Sequence, residues 1–188
     1  ENYVHTLTDN KTYTYASAYG IYYYGYYSNN DFNINNNIVS LNGQYYIYGI
    51  YAYCYQSNAS TANVLGNTIR MGGNATGYAR HYGVYNYYWP SNGVLSNNII
   101  YDESVFSASG IWGIYTGYGQ GTYDYNNIHV DNVTGTGAGT GVHVAYNVGN
   151  RTTLAAWQAD AGGANSISVD PSFTDPSTGD FTPQSIAM

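Results

Sequence analysis

The sequence predicts an all-β chain: a single right-handed parallel β-helix of about five coils, with roughly 30 residues per coil. Three observations predict it. The composition favours strands over helices, a four-residue motif recurs at a near-constant interval, and a second motif keeps the same period.

Composition comes first. The chain has 188 residues, enough for one domain with a substantial core. It carries 26 Tyr and 23 Gly against two Met and four Pro, and only 8% of its residues are charged. Tyr, Ile, Val and Thr favour strands, Asn and Gly supply turns, and the usual helix formers are scarce. High aromatic content with low charge argues against disorder. No apolar run is long enough for a transmembrane helix, so membrane insertion is not expected. The net charge is −7, and the cations are Lys11, Arg70, Arg80 and Arg151. Four scattered cations do not make a nucleic-acid surface. The single Cys54 excludes an internal disulfide and a Cys-rich metal site. The chain opens on Glu1 and shows no signal peptide, as expected of a processed or excised piece.

The repeat is the strongest signal. Tyr19-Gly20-Ile21-Tyr22 returns as Tyr48-Gly49-Ile50-Tyr51, Tyr82-Gly83-Val84-Tyr85 and Trp112-Gly113-Ile114-Tyr115, then decays to Thr140-Gly141-Val142-His143. The glycines stand 29, 34, 30 and 28 residues apart. In phase with them run Asn36-Asn37-Ile38, Asn67-Thr68-Ile69, Asn97-Asn98-Ile99 and Asn126-Asn127-Ile128. Apolar residues alternate within a repeat, as in Ile50-Tyr51-Ala52-Tyr53-Cys54-Tyr55, and a period of two means strand. One such repeat cannot bury its aliphatic face alone, whereas stacked equivalents can.

Stacking converts the motifs into columns. Ile21, Ile50, Val84, Ile114 and Val142 form one inner column, and Ile38, Ile69, Ile99 and Ile128 another. Asn37, Asn67, Asn98 and Asn127 do not all share one offset, but some are placed for a side-chain amide ladder. The outer column reads Tyr22, Tyr51, Tyr85, Tyr115, His143. Two residues on, the same face carries Tyr24, Tyr53 and Tyr87 before fading to Gly117 and Ala145. Cys54 has inward parity and reads as a small buried hydrophobe. Residues 1–18 form an N-terminal segment, either a cap or a donated strand. Residues 19–150 are the coils, and 151–188 close the far end.

Coils of this Tyr-Gly-Ile-Tyr … Asn-Asn-x-Ile type resemble the secreted right-handed β-helix repeat proteins of the pectin-lyase-like superfamily. The resemblance extends to the closing segment, in Leu154-Ala155-Ala156-Trp157-Gln158, Asn165-Ser166-Ile167-Ser168-Val169-Asp170-Pro171-Ser172-Phe173 and Asp180-Phe181. It implies the β-helix fold and a secreted or cell-surface location. Its function is open, because the fold hosts many activities. Enzymes of this architecture cleave acidic polysaccharides with a basic residue and Ca²⁺, or with clustered Asp residues. Neither pattern is present. The terminal Thr182-Pro183-Gln184-Ser185-Ile186-Ala187-Met188 departs from the family's usual ending.

The candidate sites follow from the columns. Asp102 and Asp131 each lie three residues after a column isoleucine, so stacking would bring them about 5 Å apart on adjacent coils. Such a pair is the one candidate for acid–base chemistry or Ca²⁺, against the plainer reading of two solvated turn acids. His5, His81, His129 and His143 share no metal spacing and read as surface or cross-strand residues. Tyr22, Tyr51, Tyr85, Tyr115, Tyr24, Tyr53 and Tyr87 form an aromatic face large enough to need an explanation. It serves as a sugar platform, packs against another subunit, or lies under the chain's own loops. Asn10, Asn58, Asn74, Asn132 and Asn150 are glycosylation sequons. No cofactor is expected. The leading expectation is an extracellular, non-enzymatic structural protein that binds copies of itself, building filaments or a surface layer. The alternative is a β-helix that binds or degrades polysaccharide through its tyrosine face.

Overall fold

The computed structural model describes residues 3–8, 17–25, 31–43, 45–54, 61–75, 79–106, 110–117, 121–131, 141–147, 149–159 and 163–185. They are mostly strand. In chain order the strands are β1 (Tyr3–Thr8), β2 (Ser17–Tyr24), β3 (Phe32–Asn35), β4 (Ile38–Asn42), β5 (Tyr46–Tyr53), β6 (Ala62–Leu65), β7 (Thr68–Gly72), β8 (Asn74–Ala75) and β9 (Arg80–Tyr87). They continue as β10 (Val94–Ser96), β11 (Ile99–Asp102), β12 (Val105–Phe106), β13 (Gly110–Thr116), β14 (Asn127–Val130), β15 (Gly141–Asn147) and β16 (Asn150–Arg151). One short helix, α1 (Leu154–Gln158), precedes β17 (Phe173–Asp175) and β18 (Asp180–Pro183).

Three main sheets collect these strands in register with the repeat. The six-stranded sheet runs β16-β15-β13-β9-β5-β2, the five-stranded sheet β1-β4-β7-β11-β14, and the three-stranded sheet β10-β6-β3. Every pairing in them is parallel except β15 with β16. Parallel neighbours must come from distant parts of the chain, and here they come from equivalent positions of successive repeats. One core joins all three sheets, through Ile50 and Val84, Val39 and Ile69, and Val64 and Leu95, among others.

The glycine of the Tyr-Gly-Ile-Tyr motif has a steric cause. In β5 the burial order is partly buried Tyr48, buried Gly49, buried Ile50, partly buried Tyr51, so two successive residues face inward. Simple alternation fails at this step, and both flanking tyrosines point outward. A Cβ at Gly20, Gly49 or Gly83 would collide with Val39 Cγ1, Ile69 Cγ2 or Ile100 Cγ2 across the core. Glycine therefore sets how closely the six-stranded sheet approaches the five-stranded one.

The asparagine motif marks the corner between the three- and five-stranded sheets. Asn36, Gly66, Asn97 and Tyr125 all have φ between 56° and 64°. Each turns the chain in the left-handed region, where Gly and Asn are the cheapest choices. The next residues, Asn37, Asn67, Asn98 and Asn126, make the ladder. Each Nδ2 donates to the following Oδ1, at 2.9, 2.9 and 3.0 Å, across steps of 30, 31 and 28 residues. The Nδ2 groups of Asn67, Asn98 and Asn126 also donate to Ile34, Val64 and Leu95 carbonyls. The expected columns therefore need correcting. The amide ladder ends on Asn126, not Asn127, and the inner column is Val39–Ile69–Ile100–Ile128, in place of Ile38 and Ile99. Doubled Asn and doubled Ile left the sequence register ambiguous by one residue. A second correction lies in β15, where Val142 pairs with Ile111 and Ala145 with Ile114, three residues from the motif alignment.

The two ends differ. At the C-terminal end β16 turns back antiparallel on β15. Trp157 of α1 is 1% exposed and belongs to the core, beside Tyr123. Residues 166–169 lie along β14: Ile167 bonds both ways to Asn126 and Ile128, and Val169 and Asn127 exchange two hydrogen bonds. At the other end β1, β2 and β3 are the edges of their sheets. Tyr23 occupies the inward position that Ala52 holds one repeat later, and its ring stacks on Phe32 at 4.2 Å. These rings stopper the core while the strand edges stay unpaired among the described residues.

Candidate functional site

Parallel strands in register place identical side chains one strand spacing apart. Tyr22, Tyr51, Tyr85 and Tyr115 stack with centroids 5.0, 5.0 and 4.9 Å apart and planes within 6° of parallel. Tyr24, Tyr53 and Tyr87 stack beside them at 4.9 and 5.9 Å. That column ends where the Tyr87 ring lies over Gly117, whose missing Cβ would strike it. All seven tyrosines named from the sequence thus share one face of the six-stranded sheet. His143 does not continue the first column, since Tyr146 pairs with Tyr115 and His143 with Trp112.

Sequence reasoning missed a third column. Tyr19, Tyr48, Tyr82 and Trp112 stack at 4.8, 4.9 and 5.0 Å. They are the first residues of the repeated motif, so the signal was present. Strict alternation concealed it, because two outward tyrosines three residues apart require the parity break at glycine. The columns interlock edge to face, as in Tyr19–Tyr51 at 88° and Tyr48–Tyr85 at 89°. Stacked and edge-to-face contacts are the two favourable aromatic geometries, and this array uses both. Burial, with neighbouring phenols adding, pushes the Tyr51 hydroxyl up to about 12 and raises Tyr48 and Tyr85 further.

Exposure grades along the array. Tyr19, Tyr22 and Tyr24 on β2 are 37%, 57% and 52% exposed, whereas Tyr82 and Trp112 are 4% and 7%. Within a column, ring faces are turned to neighbouring rings.

The structure separates the two acidic candidates. Asp102 pairs with Val130, so Asp131 falls one residue beyond it and the expected carboxylate pair does not form. Asp102 points inward and is fully buried, in a column with the apolar Leu41, Met71 and Val130. His81 is also fully buried, between Ile47 and Ile111. These two polar interruptions of apolar columns meet inside the protein: His81 Nδ1 lies 3.1 Å from Asp102 Oδ2 and 3.0 Å from Ser104 Oγ. The Ser104 amide donates to Asp102 Oδ1 at 2.8 Å. Both carboxyl and hydroxyl meet the same imidazole nitrogen, and nothing there is open to a substrate, so this is not a nucleophile–base relay. Of the surface and cross-strand readings of His81, the surface one is corrected: it sits in cross-strand register but faces the core.

Asp131 lies on the outer side. It accepts a hydrogen bond from the Tyr101 hydroxyl at 2.6 Å, and His129 Nε2 lies 3.0 Å from its other oxygen. Arg70, in the same cross-strand column as Tyr101, is ion-paired with Glu103. Asp124 instead holds the closing segment, accepting from the Asn165 amide and side chain. Among the described residues no group of three His, Cys, Asp or Glu is placed to hold a metal ion, and no helix is long and apolar enough to cross a membrane. Cys54 is buried, and burial pushes its thiol up to about 12. Asn74 falls in β8 and Asn150 in β16, while Asn10, Asn58 and Asn132 lie outside the described residues.

No protein-family model, curated protein or solved structure matches the chain.

Proposed function

We propose that this chain is a secreted or cell-surface structural β-solenoid without enzymatic activity. In this reading its sheets are faces of a single right-handed β-helix akin to the pectin-lyase-like superfamily. Copies associate through the N-terminal end and the tyrosine face into filaments or a surface layer, with glycan attached at the sequons. The observation that carries the proposal is the asymmetry of the stack. One end has its edge and core covered by β16, α1 and the closing segment, while the other presents strands that are outermost in their sheets among the described residues and the exposed rings of Tyr19 and Tyr22. Exposed, uncharged strand edges template further pairing. A stacked aromatic face suits burial against another protein surface.

The acids weigh on the same side. Asp102 is enclosed, and Asp131 is held by Tyr101 and His129, so neither stands ready for a polysaccharide. The glycan-binding alternative draws on the exposure of Tyr19 and Tyr22, since flat aromatic rings suit pyranose stacking. Negative-stain microscopy across a dilution series, run beside a reducing-sugar and unsaturated-product assay on acidic and neutral polysaccharides, decides the matter. Regular assemblies with no turnover are expected. Dispersed monomers that bind or cleave a glycan overturn the structural reading.

A further inference from the structure

We propose that the N-terminal end is a self-pairing surface, and that its occupant is the β2 strand of a second copy, running antiparallel about a two-fold axis through the Gly20–Ile21 step. This rests on the self-association proposed above and fixes its geometry.

The first reason is the pattern of β2 itself. From Ser17 to Tyr24 its exposure runs exposed, intermediate, exposed, intermediate, intermediate, exposed, intermediate, exposed, which reads the same in both directions. The parity break at Gly20–Ile21 is the centre of that palindrome. Antiparallel pairing about this centre sets every outward residue opposite an outward residue and every inward one opposite an inward one. The central pairs are Tyr19 with Tyr22, Gly20 with Ile21, and Ala18 with Tyr23. In two of the three a bulky side chain meets a small one, which is the complementarity that edge-to-edge packing needs. Tyr19 against Tyr22 carries the aromatic face across the junction.

The second reason is charge. The chain has a net charge of −7, but Ser17–Tyr24 contains no charged residue. Two copies meeting there bring no carboxylates together along the strand.

The third reason is the other end. Head-to-tail stacking needs an open parallel edge beyond β15, and β16 lies antiparallel there. The self-complementary contact is therefore isologous and closes at two copies. Growth beyond two copies then has to use the tyrosine face.

The test uses the whole chain in a Cys54→Ser background. Tyr19→Cys and Tyr22→Cys chains are mixed under a glutathione redox buffer and compared with each chain alone. Disulfide dimers in the mixture should exceed those of either chain alone by about tenfold, because only the 19–22 pair is directly opposed. On the unmodified chain, sedimentation should show a two-copy species, and amide exchange over residues 17–24 should slow as concentration rises. Tyr19→Lys/Tyr22→Lys should leave far-ultraviolet circular dichroism unchanged and sediment as a monomer. Assemblies that form without 19–22 cross-linking or concentration-dependent protection of β2 overturn this geometry alone. Monomers at every concentration overturn it together with the self-association it rests on.

Discussion

Asn98 stands inside the amide ladder. Its Nδ2 donates to Asn126 Oδ1 and to the Val64 and Ser96 carbonyls, and its Oδ1 accepts from the amide and side chain of Asn67. Asn98→Ala strands several buried groups at once. It should cost about 2–4 kcal/mol in urea unfolding, since each buried polar group left without a partner costs about 1–3 kcal/mol. The exposed Asn33–Asn63 pair provides the control, and Asn33→Ala should change stability by less than about 0.5 kcal/mol. The buried His81–Asp102 pair obeys a different rule. Asp102→Met removes the acceptor of the buried Ser104 amide and a partner of His81, so alone it should destabilise by about 2–4 kcal/mol. Restoring both apolar columns with His81→Ile/Asp102→Met should recover most of that loss or exceed wild type. A double variant no better than the single would show that the cluster does more than satisfy itself.

At the scale of elements, the three aromatic columns tie β2, β5, β9 and β13 together over their outer face. Inside the array, burial raises the phenols of Tyr48, Tyr51, Tyr82 and Tyr85. The Tyr51 hydroxyl is pushed up to about 12 by burial and then by its neighbours, and Tyr123 to about 12 chiefly by burial. In the unfolded chain a tyrosine titrates near about 10. Between these values the folded protein binds more protons than the unfolded one, so stability must fall as pH rises. The contribution is complete below about pH 10 and is lost as pH climbs through about 12. Denaturant midpoints at pH 8, 10 and 11 should therefore decline in that order. The share of the phenolate absorbance at 295 nm that Tyr51→Phe removes should rise with unfolding rather than ahead of it. If that share rises near pH 10 with the circular dichroism intact, the Tyr51 ring is solvated.

Across the whole molecule, the C-terminal cover is what limits the stack. Trp157 fills the end of the core beside Tyr123, on a helix whose N-cap Thr153 accepts from the Ala156 amide. Trp157→Ala should cost about 3–5 kcal/mol, the usual range for a buried Trp or Phe truncated to Ala. It should also expose the end of the core around Tyr123 to solvent and promote concentration-dependent aggregation, visible by light scattering. Unchanged stability would mean that β16 and the residues on β14 close that end without α1.

Much of this was legible in one dimension. Composition and a doubly phased motif were enough for an all-β chain of parallel, repeat-matched strands, because side-chain periodicity is a local property of the backbone. The seven tyrosines and inward Cys54 followed from parity alone. Register did not follow, because Asn36-Asn37 and Ile99-Ile100 offer two equal alignments in the sequence. The choice fell to packing: only the residue after the left-handed turn reaches the next amide, and only glycine fits beneath Val39, Ile69 and Ile100. A shift of one residue exchanges the faces of a strand. That shift carried Asp102 inward to His81, left Asp131 outside with Tyr101, and dissolved the acidic pair that the sequence had suggested. The sequence by itself determined which residues repeat and how often. The tertiary structure decided which of them face one another, because that depends on volumes and hydrogen bonds between strands about 30 residues apart.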